Sequence, residues 1–407
     1  MKILITGMGI VSALGNNAGE TLTALKAQKS GIAPLRYLKT SHTEFPVGEV
    51  KMTNEEMISL LKIPENEPTT RTSLMGMLAV REALESADLQ QSEHRKIAFI
   101  NGTTVGGMDK SEQFYLDFIE NDTKNDYIST HDCGACTEMI ADYFGIFSQV
   151  DTISTACSSA ANAILLGAEL LKSGRADIVV AGGCECITKF HLNGFNTLMI
   201  LDKEQCRPFD ATRAGLNLGE GAAYVVMEKA PLNLPEGEKL SPSFGGSRGE
   251  VLCCLSGYAN TCDAFHQTAS SPEGEGAYLA MKKALESAQL SPEQIDYINA
   301  HGTGTTNNDV SEGTAIVRLF GEKIPPVSST KSFTGHTTSA AGSVETVISI
   351  LALQHNFIPV NLNFSQKMPE LPFVPYNDMQ QSEIKHILSN SFGFGGNDTS
   401  LIFSKVW

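Results

Sequence analysis

Short runs of β-branched and other apolar residues alternate with longer helical patterns along this chain. Such alternation is typical of an α/β fold, because strands are brief and period-two while helices repeat every 3.6 residues. The pattern predicts nine strands, at residues 2–6, 96–100, 150–153, 177–181, 222–226, 251–255, 295–299, 327–329 and 399–403.

Two helical segments, 158–171 and 339–353, are apolar or small on every face, and each contains a single acid, Glu169 or Glu345. A helix without a polar face is normally buried between layers of structure. Both segments follow a predicted strand and begin with small residues. We therefore predict a duplicated α/β unit whose two halves pack helix against helix.

The segment 231–249 has the highest density of turn residues in the chain. Proline and glycine at this density mark a loop or linker. We place a domain boundary near residue 248, which divides the chain into an N-terminal half, 1–248, and a C-terminal half, 249–407.

Composition narrows the class of protein. The 407 residues are 42% hydrophobic and 19% charged, which is typical of a soluble globular protein. Thirty basic and 46 acidic residues give a net charge of −16, which argues against nucleic acid or an anionic membrane as a general partner. No run approaches the roughly 20 apolar residues that span a bilayer, so we expect a cytoplasmic protein.

Two further patterns resemble cofactor or metal sites only in part. The run 7–12 after the first strand has two of the three glycines of a dinucleotide loop, and Cys133, Cys136, Cys184 and Cys186 lack zinc-finger spacing. The nine cysteines, an odd number, are typical of reduced thiols in the cytosol. We expect neither a cofactor nor a metal here.

Cys157 lies where a predicted strand ends and the first apolar helix begins. Backbone N–H groups and the helix dipole at such a position stabilise a thiolate. We therefore predict a nucleophilic cysteine with a lowered pKa, exposed on a sharp strand-to-helix turn.

Three more reactive side chains also follow predicted strands. His301 follows strand 295–299, whereas Lys331 and His336 lie between strand 327–329 and the second apolar helix. Open α/β sheets place their active sites at the carboxyl ends of strands, so we expect these groups to meet Cys157. The segment 390–396, rich in glycine and with two phenylalanines, predicts a flexible loop that acts as a gate.

At this point a family resemblance becomes specific. Five separated motifs carry it: TACSSA (155–160), RPFD (207–210) with GEGA (219–222), HGTGT (301–305), KSFTGH (331–336) and NSFGFGG (390–396). In this order and spacing the chain resembles the elongating β-ketoacyl-[acyl-carrier-protein] synthases of the thiolase superfamily, nearly from end to end. The resemblance implies a five-layer αβαβα thiolase fold in two similar halves, each with a mixed sheet and a buried central helix.

The resemblance also implies roles for the reactive residues. Cys157 would accept an acyl chain from a carrier-protein pantetheine thioester, and His301 and His336 would act on the malonyl extender. Lys331 would supply fixed positive charge. The backbone N–H groups of Cys157 and Phe394 would hold the oxyanion, and Phe394 would act as a gate and line the acyl pocket.

Further positions match supporting residues of the family. Asp309 and Glu345 match acids that support the lysine and histidine loops, Thr303 and Thr305 match residues that hydrogen-bond pantetheine, and Val105 would line the acyl pocket. No cofactor of the enzyme's own is implied, because the 4′-phosphopantetheine belongs to the carrier. Relatives alone suggest a monovalent cation near Asn299, Glu345 and Ser389.

The Cys-His-His set distinguishes branches of the superfamily. Initiating synthases resemble Cys-His-Asn, thiolases have a second cysteine, and non-catalytic chain-length partners typically lack the nucleophile. The presence of Cys157, His336 and Lys331 therefore predicts an active, elongating enzyme.

Several positions depart from the family pattern. Ala214 replaces the aspartate of an Arg-Asp-Gly sequence, Thr306 replaces a proline, Asp398 replaces an asparagine, and Met199 replaces an arginine often used to dock the carrier. These positions are expected around the site entrance, so they bear on the choice of substrate and carrier rather than on the reaction.

Charge and assembly define the expected partners. Acyl carrier proteins are acidic, so an enzyme at −16 needs a local basic patch to attract one, for which the candidates are Lys62, Arg71, Lys203 and Arg207. Family members pair through the sheet edge of the N-terminal half. A homodimer, or a heterodimer with a chain-length partner, is therefore implied.

The reaction we predict is decarboxylative Claisen condensation of an acyl thioester with malonyl-carrier protein in fatty-acid synthesis. A type II polyketide or aryl polyene ketosynthase is an alternative within the family. Two alternatives come from other classes. A cysteine hydrolase would need only Cys157 and one histidine, and a non-catalytic chain-length partner would bind the carrier without turnover.

Overall fold

The computed structural model describes residues 2–64, 67–89, 95–230 and 250–406. In these residues ten strands form one mixed sheet: β1 Ile3–Ser12, β2 Ile97–Gly102, β3 Gln149–Ile153, β4 Ile178–Glu185, β5 Gly221–Lys229, β6 Cys253–Cys262, β7 Tyr297–Asn299, β8 Val327–Ser328, β9 His386–Gly393 and β10 Asn397–Ser404. The α-helices are α1 Ala18–Lys26, α2 Asn54–Leu61, α3 Arg71–Ser86, α4 Met108–Glu120, α5 Cys133–Phe144, α6 Ser159–Lys172, α7 Lys189–Thr197, α8 Glu275–Ala288, α9 Thr306–Phe320, α10 Lys331–Thr334 and α11 Ala341–His355. Short 3₁₀ helices cover Asn125–Thr130, Pro292–Gln294 and Thr338–Ala340.

None of the described helices is both long enough and apolar enough to cross a membrane.

The sheet consists of two halves with the same topology. Its order is β3-β2-β4-β5-β1-β6-β10-β9-β7-β8, so from the centre outward each half presents its first, fifth, fourth, second and third strand. Antiparallel pairing of Ile3 with Leu255 and of Ile5 with Cys253 joins β1 to β6. The predicted duplication is confirmed. The boundary near residue 248 lies outside the described residues and stays a prediction.

The two central helices account for the layered architecture. Helix α6 packs on β2 and β4, α11 packs on β5 and β9, and the two helices contact each other. Every residue of α11 from Ala341 to Leu353 is buried, which explains why its sequence has no polar face. Outside them, α3 covers β1 and β5 while α8 covers β6 and β10. This is the five-layer αβαβα arrangement that the sequence predicted.

The glycines at the start of the chain serve helix packing. Gly7 and Gly9 lie inside β1, where an added Cβ would come within 2.3 Å of the Ala83 carbonyl oxygen and 2.1 Å of the Ala79 carbonyl oxygen of α3. The absence of side chains therefore lets α3 lie directly on the strand. This close packing explains the two glycines of the run 7–12, which need not form a nucleotide-binding loop.

The prediction of a flexible loop over 390–396 was wrong for its first part. Residues Asn390 to Gly393 belong to β9 and pair with β10, as in Asn390 with Ser400. Their small side chains reflect close packing, because a Cβ on Gly342 of α11 would lie 2.8 Å from the Ser391 hydroxyl. Only the short turn at 394–396, with Gly395 and Gly396 at positive φ, connects the two strands.

The close approach of α3 to β1 predicts that Gly9→Ala destabilises the protein. The new methyl group would overlap the Ala79 carbonyl oxygen, so we expect a loss of about 1–3 kcal/mol in the free energy of unfolding. Chemical denaturation followed by circular dichroism measures this loss. Gly134→Ala is the matched control, because a Cβ there meets nothing within 4 Å. Equal stability of the two variants would contradict the packing argument.

Candidate active site

Cys157 lies on a tight turn between β3 and α6. The turn forces Ala156 into the left-handed region, with φ of 52°, which is costly for a residue with a Cβ. The Ser158 hydroxyl stabilises it, because its oxygen lies 2.7 Å from both the Thr155 carbonyl oxygen and Asn397 Oδ1 and its one proton can be donated to either. Cys157 is thereby held, buried, immediately before the N-terminus of α6.

The environment of the thiol differs from the sequence prediction. Burial raises the pKa of Cys157 to about 11, although the Lys331 charge and a hydrogen bond from the backbone N–H of Phe394 act in the opposite direction. The predicted lowering of the pKa was therefore wrong, because desolvation outweighs the Lys331 charge and the backbone hydrogen bonds. The backbone N–H of Phe394 therefore lies close to the Cys157 sulfur.

Lys331 is the charged centre of the site. Its ammonium group, only 2% exposed, bonds to the Glu345 carboxylate and donates to His301 Nδ1 at 3.2 Å. An ammonium group can only donate, so His301 Nδ1 accepts and the imidazole proton lies on Nε2. Burial raises the pKa of Glu345 to about 7 against the opposing effect of Lys331.

The two histidines face each other edge to face, with ring centroids 5.3 Å apart. Burial holds the pKa of both imidazoles well below the ordinary value, and the Lys331 charge adds to this effect. Both rings are therefore neutral near pH 7, and each carries one N–H. Among the described residues His336 Nδ1 has no hydrogen-bond partner.

Two carboxylates of α9 hold the loop that contains His301. Asp309 accepts from the backbone N–H groups of Phe209, at 2.7 Å, and Gly304, at 3.1 Å. Glu312, which the sequence analysis missed, accepts from His301 N–H at 2.9 Å and Gly302 N–H at 2.8 Å. The signal was available, because residues three apart on a helix share a face.

The cysteine and both histidines open onto one cavity. Its lining includes several residues that the sequence singled out: Cys157, His301, His336, Thr303, Thr305 and Phe394. The Thr303 and Thr305 hydroxyl groups hydrogen-bond each other at 2.9 Å. Val105 is buried after β2 and does not line this cavity.

The suggested cation site consists of neighbouring residues. Asn299 pairs with Ser389 in the parallel register of β7 and β9. However, the Glu345 carbonyl oxygen already accepts from Asn299 Nδ2, at 3.3 Å, and from the Ser349 hydroxyl, at 2.7 Å. Both lone pairs of this oxygen are used, so the set does not fit a cation at this carbonyl, and no step below involves one.

Within the described ranges, no group of three or more His, Cys, Asp or Glu side chains is placed to hold a metal ion.

The predicted basic patch was wrong for two of its four members. Arg71 donates repeatedly to the buried Glu220 and to backbone carbonyls, with its Nε 2.9 Å from Glu220 Oε2. Arg207 is bound by Asp202 and Glu204. Both arginines are therefore neutralised inside the protein. Lys62 is exposed at the end of α2, and Lys203 is exposed in the loop before Arg207.

Of the departures from the family pattern, Thr306 lines the cavity and one other is buried. Ala214 and Met199 are exposed, whereas Asp398 is 4% exposed at the start of β10. Burial, with the neighbouring carboxylates of Asp263 and Glu312, raises the pKa of Asp398 to about 8. An asparagine at this position would not incur that penalty.

A duplicated five-layer fold that directs a buried thiol and two neutral imidazoles into one cavity, with a buried lysine bonded to one of the imidazoles, defines a thiolase-like condensing enzyme. The chain belongs to the β-ketoacyl synthase family. Its residues 1–232 match the family model of the β-ketoacyl synthase N-terminal domain, and residues 252–365 match that of the C-terminal domain.

Similar proteins cover the whole chain. A 3-oxoacyl-[acyl-carrier-protein] synthase 2 of Coxiella burnetii is 33% identical over 423 residues, which span 100% of this chain and 99% of the relative. Nodulation protein E of Rhizobium meliloti is 31% identical over 418 residues, again 100% and 99% of the two chains.

Solved structures give the same picture. The ketosynthase ApeO of Xenorhabdus doucetiae, in complex with its chain length factor ApeC, is matched with a TM-score of 0.85 and 30% identity over 100% of this chain and 98% of that chain. The ishigamide ketosynthase/chain length factor is matched with a TM-score of 0.89 and 27% identity over 100% and 99%. The predicted family and fold are confirmed.

The burial of Cys157 predicts how its alkylation depends on pH. Because the thiol pKa is raised to about 11, the iodoacetamide rate at Cys157 should rise about tenfold for each pH unit between about pH 7 and about pH 10. Peptide mass spectrometry measures the rate, with a free cysteine peptide in the same sample as control. A plateau at or below the pH where the peptide levels off would contradict this prediction.

The buried Asp398 predicts a pH-dependent gain in stability for Asp398→Asn. Because the pKa of this carboxyl group is raised, the folded state binds more protons than the unfolded state between about pH 4 and about pH 8. The free energy of unfolding therefore decreases as the pH rises through that range. The variant should therefore gain most at about pH 9 and little at about pH 5. Thermal unfolding at both values tests this.

The matched control for that experiment is Asp378→Asn, at an exposed position. It should change the melting temperature little at either pH. A gain for Asp398→Asn that is the same at both pH values would mean that the carboxyl group is not held protonated by the fold.

Proposed function

We propose that this protein is an elongating β-ketoacyl synthase, which condenses an acyl group on Cys157 with malonyl-carrier protein. The observation that supports this most is the combination of a buried thiol and two neutral imidazoles on the same cavity, with Lys331 bonded to one of these imidazoles. A cysteine hydrolase would use only the thiol and one histidine.

In the first step the Cys157 sulfur attacks the acyl thioester of the carrier. A new S–C bond forms, the carrier C–S bond breaks, and the proton lost by Cys157 ends on the departing carrier thiol. The N–H groups of Cys157 and Phe394 hold the tetrahedral oxyanion in between. With a thiol pKa of about 11, attack and proton transfer are coupled, because little thiolate exists beforehand.

In the second step malonyl-carrier protein loses carbon dioxide. The electron pair of the broken C–C bond becomes an enolate, whose oxygen needs hydrogen-bond donors. Neutral imidazoles supply N–H donors at His301 Nε2 and at His336, and Lys331 fixes the tautomer of His301. The carbanion then attacks the Cys157 thioester, the new C–C bond forms, and the thiolate leaves and is reprotonated.

For the pathway, we propose fatty-acid elongation, supported by relatives named 3-oxoacyl-[acyl-carrier-protein] synthase 2 at 33% and 31% identity. A ketosynthase of a polyketide or aryl polyene pathway is the second candidate. It is favoured by the likeness to ApeO, which was solved with a chain length factor. A non-catalytic partner subunit is disfavoured by the intact set of Cys157, His301, His336 and Lys331.

We propose an acyl carrier protein as the partner and a dimer as the working form, in the cytoplasm. Strand β3 is an edge strand with Val150 39% exposed, and α4 has no buried residue, with Tyr115, Leu116 and Ile119 all more than half exposed. An unpaired sheet edge and an exposed apolar helix face each support pairing with a second copy or with a chain-length subunit.

The test is intact-protein mass spectrometry with a panel of acyl-carrier thioesters: short saturated, long saturated, polyunsaturated and aryl. We expect an acyl adduct that maps to Cys157 and is discharged by malonyl-carrier protein. The donor that loads best separates fatty-acid from polyene use. Cys157→Ala should abolish loading, whereas Cys262→Ala, at an exposed cysteine, should load like the parent.

The histidines are tested by carbon dioxide release from malonyl-carrier protein. His301→Ala and His336→Ala should each slow release about 10²–10³-fold, the usual cost of losing one oxyanion donor. Condensation that persists without Cys157, or a folded protein that forms no adduct with any donor, would refute the proposal.

A further inference from the structure

Two segments form the mouth of the catalytic cavity. On one side Phe195 of α7 and Ile200 line the cavity, and between them Leu198 is 40% exposed and Met199 is 87% exposed. On the other side Thr268 lines the cavity, at the end of a loop that begins after β6. Each segment therefore places apolar or small residues both inside the cavity and at its edge.

The second segment also exposes an aromatic ring. Phe265 is 56% exposed, three residues before Thr268. The two segments meet at the gate, because the Phe195 and Phe394 rings stack at 6.0 Å and Gly395 N–H donates to the Gln267 carbonyl oxygen at 2.7 Å. We call Leu198, Met199 and Phe265 the apolar rim.

Met199 is held outward at a conformational cost. It follows Leu198, the C-cap of α7, and has φ of 56°, a left-handed position where glycine is favoured. Its N–H donates to the Asn196 carbonyl oxygen at 2.9 Å. This helix-ending turn fixes the backbone of Met199, so that a large apolar side chain is almost fully exposed at the mouth of the cavity.

The charges around the rim do not favour an acidic partner. Of the three basic residues between 195 and 213, Arg207 is bound by Asp202 and Glu204 and Arg213 is buried beside Asp309, which leaves Lys203 as the exposed base of this segment. The segment 262–272 has Asp263 and no lysine or arginine. With a net charge of −16, long-range attraction of an acidic protein is absent here.

We infer that the acyl carrier protein docks on the apolar rim by burying Leu198, Met199 and Phe265, rather than through ion pairs. This inference rests on the proposed function, because it names how the partner of that site is recognised. The matching carrier presents apolar side chains on the surface around its pantetheine arm. Because ion pairs at the rim contribute little, the affinity should depend weakly on salt.

The experiment measures the affinity of the holo carrier for the enzyme by titration calorimetry, in a Cys157→Ala background so that no turnover is needed. Met199→Asp should weaken binding about tenfold or more, and Phe265→Ser severalfold, as expected for exposed anchors of an interface. Raising salt from about 0.05 M to about 0.5 M should change the parent affinity less than about threefold. Leu60→Ser, at a 51% exposed position on α2, is the matched control and should bind like the parent.

Cys157 acylation in the otherwise unchanged enzyme supplies a second readout. Acyl-pantetheine, which has no carrier domain, competes with acyl-carrier protein as donor. Met199→Asp should lower the preference for the carrier donor about tenfold. Met199→Arg should introduce a steep salt dependence that the parent lacks.

The outcomes separate the two proposals. Unchanged carrier affinity in the rim variants, or a steep salt dependence in the parent, would overturn docking on the apolar rim while leaving the condensing activity intact. Loss of Cys157 acylation from both donors in the parent would instead overturn the proposed function, and the calorimetric result would still decide the docking question.

Discussion

The buried ammonium group of Lys331 is the constraint on which the site depends. A charge taken out of water is costly unless it is paired and hydrogen-bonded, and here Glu345 pairs it while His301 accepts its remaining hydrogen bond. The same charge lowers the pKa of His301 and His336 and partly offsets the burial of Cys157. Lys331 thus sets the tautomer of His301. It also adds to the effect of burial, which keeps both His301 and His336 neutral.

The fold explains how these groups meet. Glu345 belongs to α11, which is buried between the sheet halves, and Cys157 precedes α6, the corresponding helix of the first half. The site therefore forms where the N-terminal ends of two duplicated helices approach each other. Duplication supplied the scaffold, and divergence of the two halves placed a thiol at one helix and a charged pair with imidazoles at the other.

The sequence predicted the parts of the molecule that depend on local pattern. The layers could be predicted from the helices that are apolar on every face. The main residues of the site could be predicted from the loops that follow strands and from the motifs around Cys157 and His301. It missed β9, because serine and glycine that serve close packing against α11 resemble loop residues. It also predicted the first strand at residues 2–6, whereas β1 extends to Ser12. The extra length depends on pairing with β5, which the local sequence does not specify.

Electrostatics could be predicted least. The lowered pKa expected for Cys157 followed from its position at a helix terminus, but the depth of burial, which decides the sign, is a property of the packed molecule. Arg71 failed as a surface charge for the same reason, since its partner Glu220 is distant in the sequence, whereas the partners of Arg207, Asp202 and Glu204, are close enough in the sequence to have been noticed.

The departures from the family pattern fall outside the group formed by Lys331, Glu345 and His301. Met199 lies at the cavity mouth, Ala214 is exposed, and Asp398 lies beside Asp263 in the segment that supports the gate. Asp263 N–H donates to the Gly396 carbonyl oxygen at 2.8 Å, so the two aspartates lie next to the Phe394 turn. The chemistry of the site is thus kept by residues that bond to one another around a buried charge, while the surface that meets the partner is free to diverge.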